Sequence, residues 1–198
     1  MINILLAGVG GQGTVLAAKV LAQAAQNKGW QVRTAETIGM AQRGGSVVSH
    51  VRMGSEGEAV HAPLVTPGTA DVIIAFEPGE AARSLGYLKP GGTVVSATSL
   101  VQPVTAALSS APYSASEVVA NLREALDRAD ASLRLVNDGE VLAALGNRRA
   151  LNTVLLATAV ACGAVPLTLE ELKRAVTACV KPQFVDVNIA AIDAAAQR

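Results

Sequence analysis

Two glycine-rich stretches carry the residue types that could do chemistry in this chain. The first, Gly8-Val9-Gly10-Gly11-Gln12-Gly13, follows an apolar run over residues 2–7 and precedes a helical pattern over 14–28. A strand, a glycine turn and a helix N-terminus in that order can present several backbone N–H groups to a phosphate. Glycine tolerates positive φ and lets a ligand come close, and the helix dipole is positive at that end. A charge-assisted hydrogen bond contributes roughly 1.5–3 kcal/mol net, so two or three would anchor a nucleotide-like ligand without a basic side chain. The same residues also make a tight strand-to-helix turn that binds nothing, and the glycines alone do not choose between the two.

The second stretch, Gly39-Met40-Ala41-Gln42-Arg43-Gly44-Gly45-Ser46, combines a cation, a primary amide and three glycines in one predicted loop. The planar fork of Arg43 suits a carboxylate or a phosphate, and the adjoining glycines let it approach while adding free N–H groups. The bland alternative is a flexible link with a solvated arginine, for which three glycines are an entropically costly choice. The candidate binding set is therefore Gly8, Gly10, Gly11, Gln12, Gly13, Gln42, Arg43, Gly44 and Gly45, with no catalytic residue and no metal ligand assigned.

Both stretches need strands and helices to place them. After a first helix whose apolar Val15, Leu16, Val20, Leu21 and Ala24 recur at helical spacing, Gly29 reads as its C′ residue and residues 30–35 as strand two. Residues 47–53 alternate as a strand, with Val47, Ser49, Val51 and Met53 on one face and Val48, His50 and Arg52 on the other. Residues 71–76 form a buried strand, Glu77-Pro78-Gly79-Glu80 opens a short helix, Lys89-Pro90-Gly91-Gly92 is a turn, and 93–97 is the next strand. Helix 114–128 carries a capping signature, 133–136 is the last strand, and the rest is helical: 139–145, 148–162, 169–180 and 188–195. The run 148–162, apolar nearly all round, must be buried on more than one side, either at the centre of the fold or at a subunit interface. The repeated strand-helix-strand order gives the α/β class: a Rossmann-like, mostly parallel sheet flanked by helices, in one domain over 1–198 with a helical C-terminal part.

Other polar residues have plainer readings. His50 reads as a hydrogen-bonded structural histidine, His61 as exposed, and Glu77 as a helix N-terminal glutamate or a ligand-facing group at a strand's carboxyl end. Ser96, Thr98 and Ser99 have neither a G-x-S-x-G elbow nor a histidine nearby, which argues against a hydrolase. Glu36, near the end of strand two, keeps a dinucleotide reading open, because an acidic residue there can grip a ribose.

Composition narrows the class. Of the 198 residues, 51% are hydrophobic and only 16% charged, so some of the surface is expected to meet another subunit. Zero formal charge and 3% aromatic residues leave neither a basic footprint nor stacking platforms for nucleic acid. The N-terminus lacks a basic region before its apolar run, and the apolar stretch 154–165 is too short to span a bilayer, so a cytoplasmic protein without a membrane segment is expected. Two cysteines, Cys162 and Cys179, cannot by themselves hold an iron-sulfur cluster or a closed zinc site. If the function is redox, the electrons travel through another chain.

Taken in order, Gly8-x-Gly-Gly-Gln-Gly13, Gln42-Arg43-Gly44-Gly45, Asp71-Val-Ile-Ile with Glu77, and Leu88-Lys-Pro-Gly-Gly-Thr-Val-Val95 resemble the gamma-type domain of the 2-oxoacid:ferredoxin oxidoreductases. The likeness continues through Leu145-Gly-Asn147, Asn152-Thr-Val-Leu-Leu156 and Asn188-Ile-Ala-Ala-Ile192, covering almost the whole chain. Many pyruvate and 2-oxoglutarate members carry a Gly-Pro-Glu type stretch before Arg-Gly-Gly. Here Gly39-Met40-Ala41-Gln42 is more similar to the small beta subunit of the indolepyruvate branch.

The resemblance implies oxidative decarboxylation of a 2-oxoacid with coenzyme A, giving an acyl-CoA, carbon dioxide and reduced ferredoxin. In the family thiamine diphosphate makes the carbanion and iron-sulfur clusters take the electrons. This chain has no Gly-Asp-Gly with a following asparagine and no cysteine cluster, so both cofactors are expected in a larger catalytic partner. The chain is then the accessory subunit, reaching ferredoxin through the complex, with coenzyme A as a possible shared ligand. Two other readings stay open: an NAD(P)-binding domain using Gly8, Gly10, Gly13 and Glu36, and a purely structural subunit.

Overall fold

A computed structural model describes residues 1–39, 44–102 and 114–196 of the chain. Its spine is a six-stranded sheet in the order β2-β3-β1-β4-β5-β6. The strands are β1 (Ile2–Val9), β2 (Gln31–Ile38), β3 (Ser46–Gly54), β4 (Ala70–Ala75), β5 (Leu88–Ala97) and β6 (Ser132–Val136). β1, β4, β5 and β6 pair in parallel, whereas β3 runs antiparallel to both β1 and β2. The mostly parallel sheet expected from the sequence is present, with β3 as the reversed strand.

Two helical layers cover it. Ile4 and Leu6 of β1 point to one face and Leu5 to the other, as the two-residue pleat requires. The first face meets α1 (Thr14–Asn27), α5 (Leu151–Ala161), α6 (Leu169–Cys179) and α7 (Val185–Ala196) through Leu21, Leu155, Leu172 and Ile192. The second meets α2 (Pro78–Ser84) and α3 (Ala115–Arg128) through Ala81, Leu122 and Leu126. Burial on both faces explains why β1 and β4 are almost continuously apolar. Between α3 and α5, α4 (Asp138–Leu145) follows β6 and adds Val141 and Leu142 to the first face.

The apolar run near the C-terminus resolves into a short 3-10 turn, Arg148–Ala150, followed by α5. Eight of the eleven residues of α5 are buried, so this helix is central to the fold. The expected turn at residues 89–92 lies inside β5 as an irregularity, because Ala70 pairs with Leu88 while Val72 pairs with Thr93. Ser114 caps α3 by accepting from the Glu117 N–H at 3.4 Å, which is the capping contact its sequence signals.

Candidate functional site

The parallel strands all end at one edge of the sheet, and the glycine turn lies there. β2 ends and β3 begins at the same edge, with Val9 opposite Ser46 and Ile38 opposite Val47. The two glycine stretches therefore meet, though not on neighbouring parallel strands: the Gly10 N–H donates to the Gly45 carbonyl at 2.9 Å. Gly44 adopts a φ of +76° beside that contact. Gln42 and Arg43 lie outside the described residues.

Gln12 holds the turn closed from within. Its Oε1 accepts from the Val9 N–H at 2.7 Å and its Nε2 donates to the Phe76 carbonyl at 3.2 Å, tying the end of β1 to the end of β4. The Phe76 N–H donates to the Ala7 carbonyl at 2.8 Å, continuing the same seam. A Cβ on Gly8 would stand 2.9 Å from Gln12 Oε1, the Phe76 Cβ and the Thr14 Cγ2, so that position has room only for glycine. Gly11 and Gly13 need glycine for another reason, their φ of +99° and +91°. With the amides of Gly10 and Gln12 engaged, the donors left to a ligand here are those of Gly11, Gly13 and the first turn of α1. Gly13 is the N-cap of that helix and supplies no capping side chain.

Beside the turn lies a buried carboxylate pair. The Ser46 hydroxyl donates to Glu80 Oε2 at 2.5 Å, and Arg83 pairs with the same carboxylate. Glu77 caps α2 by accepting from the Glu80 N–H at 2.5 Å, while its Oε2 has no hydrogen-bond partner among the described residues. Burial pushes the Glu77 carboxyl up, helped by the neighbouring Glu80 charge and opposed by the Gly79, Glu80 and Val101 amides. The helix-capping reading of Glu77 is thus realised.

Other polar candidates are placed away from this edge or are satisfied locally. His50 sits at mid-strand opposite Leu5, where it accepts from the Val65 N–H at 3.2 Å through Nδ1 and meets the Tyr87 ring edge-on. Burial lowers its pKa, which keeps it a neutral structural histidine. His61 is exposed. Thr98 and Ser99 direct their amides at Asp138 Oδ1 at 3.0 and 2.9 Å, and the Ser96 hydroxyl bonds the Ala97 carbonyl. Glu36 pairs with Ser49 on β3, which in turn faces Leu6. It is therefore two strand spacings, roughly 9–10 Å, to the side of β1, because β3 occupies the place that the second strand of a dinucleotide-binding unit takes.

Three exposed apolar side chains ring the same edge: Val15 at 46% in the first turn of α1, Ile38 at 61% at the end of β2, and Val101 at 38% after β5. A hollow of about 350 Å³ opens beside the first turn of α1, between Leu16, Asn152 and Phe184. A larger hollow of about 1040 Å³ runs along the free edge of β6, lined by Arg134, Thr158 and Cys162, three strands from β1. Sequence reasoning reached Asn152 only through the family likeness and did not see the link from Ser46 to Glu80. An amide inside an otherwise apolar helical run was the available signal for the first.

The family model for pyruvate ferredoxin/flavodoxin oxidoreductase matches residues 3–198. The chain belongs to that family. The indolepyruvate oxidoreductase subunit IorB of Pyrococcus horikoshii is 38% identical over 192 residues, covering 96% of this chain and 92% of its own. The keto/oxoacid ferredoxin oxidoreductase gamma subunit from Geobacter sulfurreducens superposes with a TM-score of 0.71 at 22% identity, covering 100% of this chain and 97% of its own. The 2-oxoglutarate:ferredoxin oxidoreductase of Magnetococcus marinus, solved with 2-oxoglutarate, coenzyme A and succinyl-CoA bound, gives a TM-score of 0.71 at 20% identity, with 99% of this chain matching 31% of that one. The gamma-type α/β fold expected from the sequence is the fold observed, and the chain is a small subunit of an oxidoreductase complex. No helix among the described residues is long and apolar enough to cross a membrane.

Proposed function

We propose that this chain is the accessory, non-catalytic subunit of an arylpyruvate:ferredoxin oxidoreductase, of the indolepyruvate type, and forms one wall of a coenzyme A site shared with a larger partner. The observation that carries the reading is the hydrogen bond from Gly10 to Gly45, which brings both glycine loops to one edge of the sheet. Residues 1–198 act as a single gamma-type domain in it. The pyrophosphate of coenzyme A suits the amides of Gly11, Gly13 and the first turn of α1, and its ribose phosphate suits the fork of Arg43 in the adjoining loop. The exposed Val15, Ile38 and Val101 give the partner an apolar rim to cover.

Thiamine diphosphate and iron-sulfur clusters belong to the partner, where they supply decarboxylation and electron transfer to ferredoxin. Among the described residues no group of three or more His, Cys, Asp or Glu side chains is placed to hold a metal. The work of this chain is to position coenzyme A and keep water from the shared edge. The arylpyruvate assignment rests on the 38% identity to IorB, and the reading places the complex in the cytoplasm.

The reading is tested with the assembled complex, by measuring coenzyme A-dependent and indolepyruvate-dependent acceptor reduction with wild-type and Arg43→Ala chains. The expected result is a raised KM for coenzyme A with the KM for the 2-oxoacid unchanged. Equal values for coenzyme A would remove Arg43 from the site. The internal engagement of Gln12 favours a second reading, in which the turn serves only packing and docking. That reading requires every glycine-loop variant that assembles to keep normal coenzyme A dependence.

A further inference from the structure

The end of the second glycine stretch is tied to three different elements. The Gly45 carbonyl accepts from the Gly10 N–H at 2.9 Å, which joins it to the turn between β1 and α1. The Ser46 carbonyl accepts from the Gly39 N–H at 2.9 Å, which closes the stretch on the residue after β2. The third tie is a side-chain bond: the Ser46 hydroxyl donates at 2.5 Å to Glu80 Oε2 on α2. Ser46 stands opposite Val9, the last residue of β1, so all three ties meet at the strand ends.

Glu80 is the partner that plain packing does not call for. It is 2% exposed, on a helix that packs against the sheet, where an apolar side chain would fill the space without the cost of desolvating a carboxyl. Its two oxygens are engaged separately, Oε1 by Arg83 and Oε2 by Ser46. Arg83 lies one turn along the same helix with its side chain 55% exposed, and a carboxylate at the surface would pair with it as well. The bond to Ser46 is what a carboxyl at this depth secures. The residues it steadies have little packing of their own: a Cβ on Gly44 would meet nothing within 4 Å.

We propose that Glu80 is a positioning residue for the ligand edge: through the Ser46 hydroxyl it holds the Gly45 carbonyl on the Gly10 amide and so sets the spacing of the two glycine stretches. The inference rests on the coenzyme A reading above and adds that affinity for coenzyme A is governed from α2, on the face of the sheet opposite α1. Glu80 touches no ligand in this scheme and acts only through Ser46. With the tie made, the amides of Gly11 and Gly13 and the backbone of Gly44 and Gly45 meet the ligand already in place. Without it, part of the binding energy goes into ordering them.

The test pairs two measurements. In the full chain labelled with nitrogen-15, hydrogen exchange of the Gly10 amide is followed beside that of Leu6 in β1; in the assembled complex, kcat and the KM for coenzyme A are measured. Ser46→Ala should speed Gly10 exchange about 3- to 10-fold relative to Leu6 and raise the KM for coenzyme A by a similar factor, with kcat within about twofold of wild type. Ser46→Thr keeps the hydroxyl and should restore both. Adding Glu80→Gln to Ser46→Ala should raise the KM no further, because the two changes remove one bond. Ser46 is only half-buried, so its variants keep the test valid should Glu80→Gln fail to fold. A purely structural role would lower stability and leave the Gly10 to Leu6 ratio and the KM where they are. Four results would overturn the proposal: a wild-type exchange ratio in Ser46→Ala, no recovery in Ser46→Thr, a further rise of KM on adding Glu80→Gln, or a wild-type KM in Ser46→Ala while Arg43→Ala raises it. A wild-type KM in both Ser46→Ala and Arg43→Ala would remove the coenzyme A reading as well.

Discussion

Replacing Gln12 by alanine separates what the glycine turn does for the fold from what it does for a ligand. The substitution removes the acceptor of the Val9 N–H, at 2.7 Å, and the donor to the Phe76 carbonyl, at 3.2 Å. Val9 is buried, so its amide is left without water as well as without a partner. An unpaired buried amide costs about 1–3 kcal/mol and the second hydrogen bond contributes about 0.5–1.5 kcal/mol, giving about 1.5–4.5 kcal/mol together. For a domain of this size each kcal/mol moves Tm by about 2–4 °C, so the melting point should fall by about 3–18 °C. Urea unfolding of the full chain, followed by the fluorescence of its one tryptophan, Trp30, measures the loss directly. Gln12→Glu refines the test: it keeps an acceptor for Val9 but sets an oxygen against the Phe76 carbonyl, so its stability should recover on acidification as that oxygen gains a proton. An alanine variant within about 0.5 kcal/mol of wild type, the range of an ordinary surface substitution, would refute the strap. Loss of coenzyme A dependence in such a stable variant would make the amide a ligand group instead.

The other expectations concern the same edge of the sheet. Gly8→Ala should cost about 1–3 kcal/mol through overpacking, partly relieved by adding Thr14→Ser, which removes the methyl 2.9 Å away; no relief in the double variant would contradict the contact. Gly11→Ala meets open space but carries a φ of +99°, so it should cost about 1–3 kcal/mol with no rescue from any neighbour, and a neutral result in denaturation would show that the turn relaxes. Glu77→Gln tests the buried carboxyl: because burial raises its pKa in the folded state, the contribution of Glu77 is fully present below the unfolded carboxylate pKa and is lost as pH rises through the raised value. Wild type should therefore lose stability relative to Glu77→Gln across that window, and a flat or opposite difference in unfolding at stepped pH would sink the assignment. Ile38→Lys and Val15→Lys change exposed side chains and should leave the fold intact while weakening co-elution with the larger subunit; unimpaired assembly of both would place the partner elsewhere.

Much of the sheet was legible because burial writes itself into composition. Mostly apolar runs at residues 2–7 and 71–76 are what strands covered on both faces require, and alternation at 47–53 separates Val51 and Met53 from His50 as observed. Strand order was not legible, because it is a long-range choice. Nothing local in Glu36 or Ser49 says that β3 inserts between β1 and β2 and runs backwards, yet that single choice turns the second glycine stretch into a hairpin and moves Glu36 away from the first. The turn itself announced its glycines but not their separate reasons: Gly8 answers to sterics and Gly13 to backbone conformation.

Side-chain amides were the least readable, and they are what the structure makes most specific. Glutamine and asparagine have no periodicity, and each can point either way until a donor or an acceptor fixes it. Gln12 is fixed at both ends and closes the turn on the α/β framework, while Asn152 is fixed at one end by Thr153 and leaves the other under Gly13. Two amides that meet the same glycine turn in space therefore take different parts. Gln12 uses up its polar atoms to keep β1 and β4 in register at the strand ends, and in doing so it fixes the turn that leads into α1.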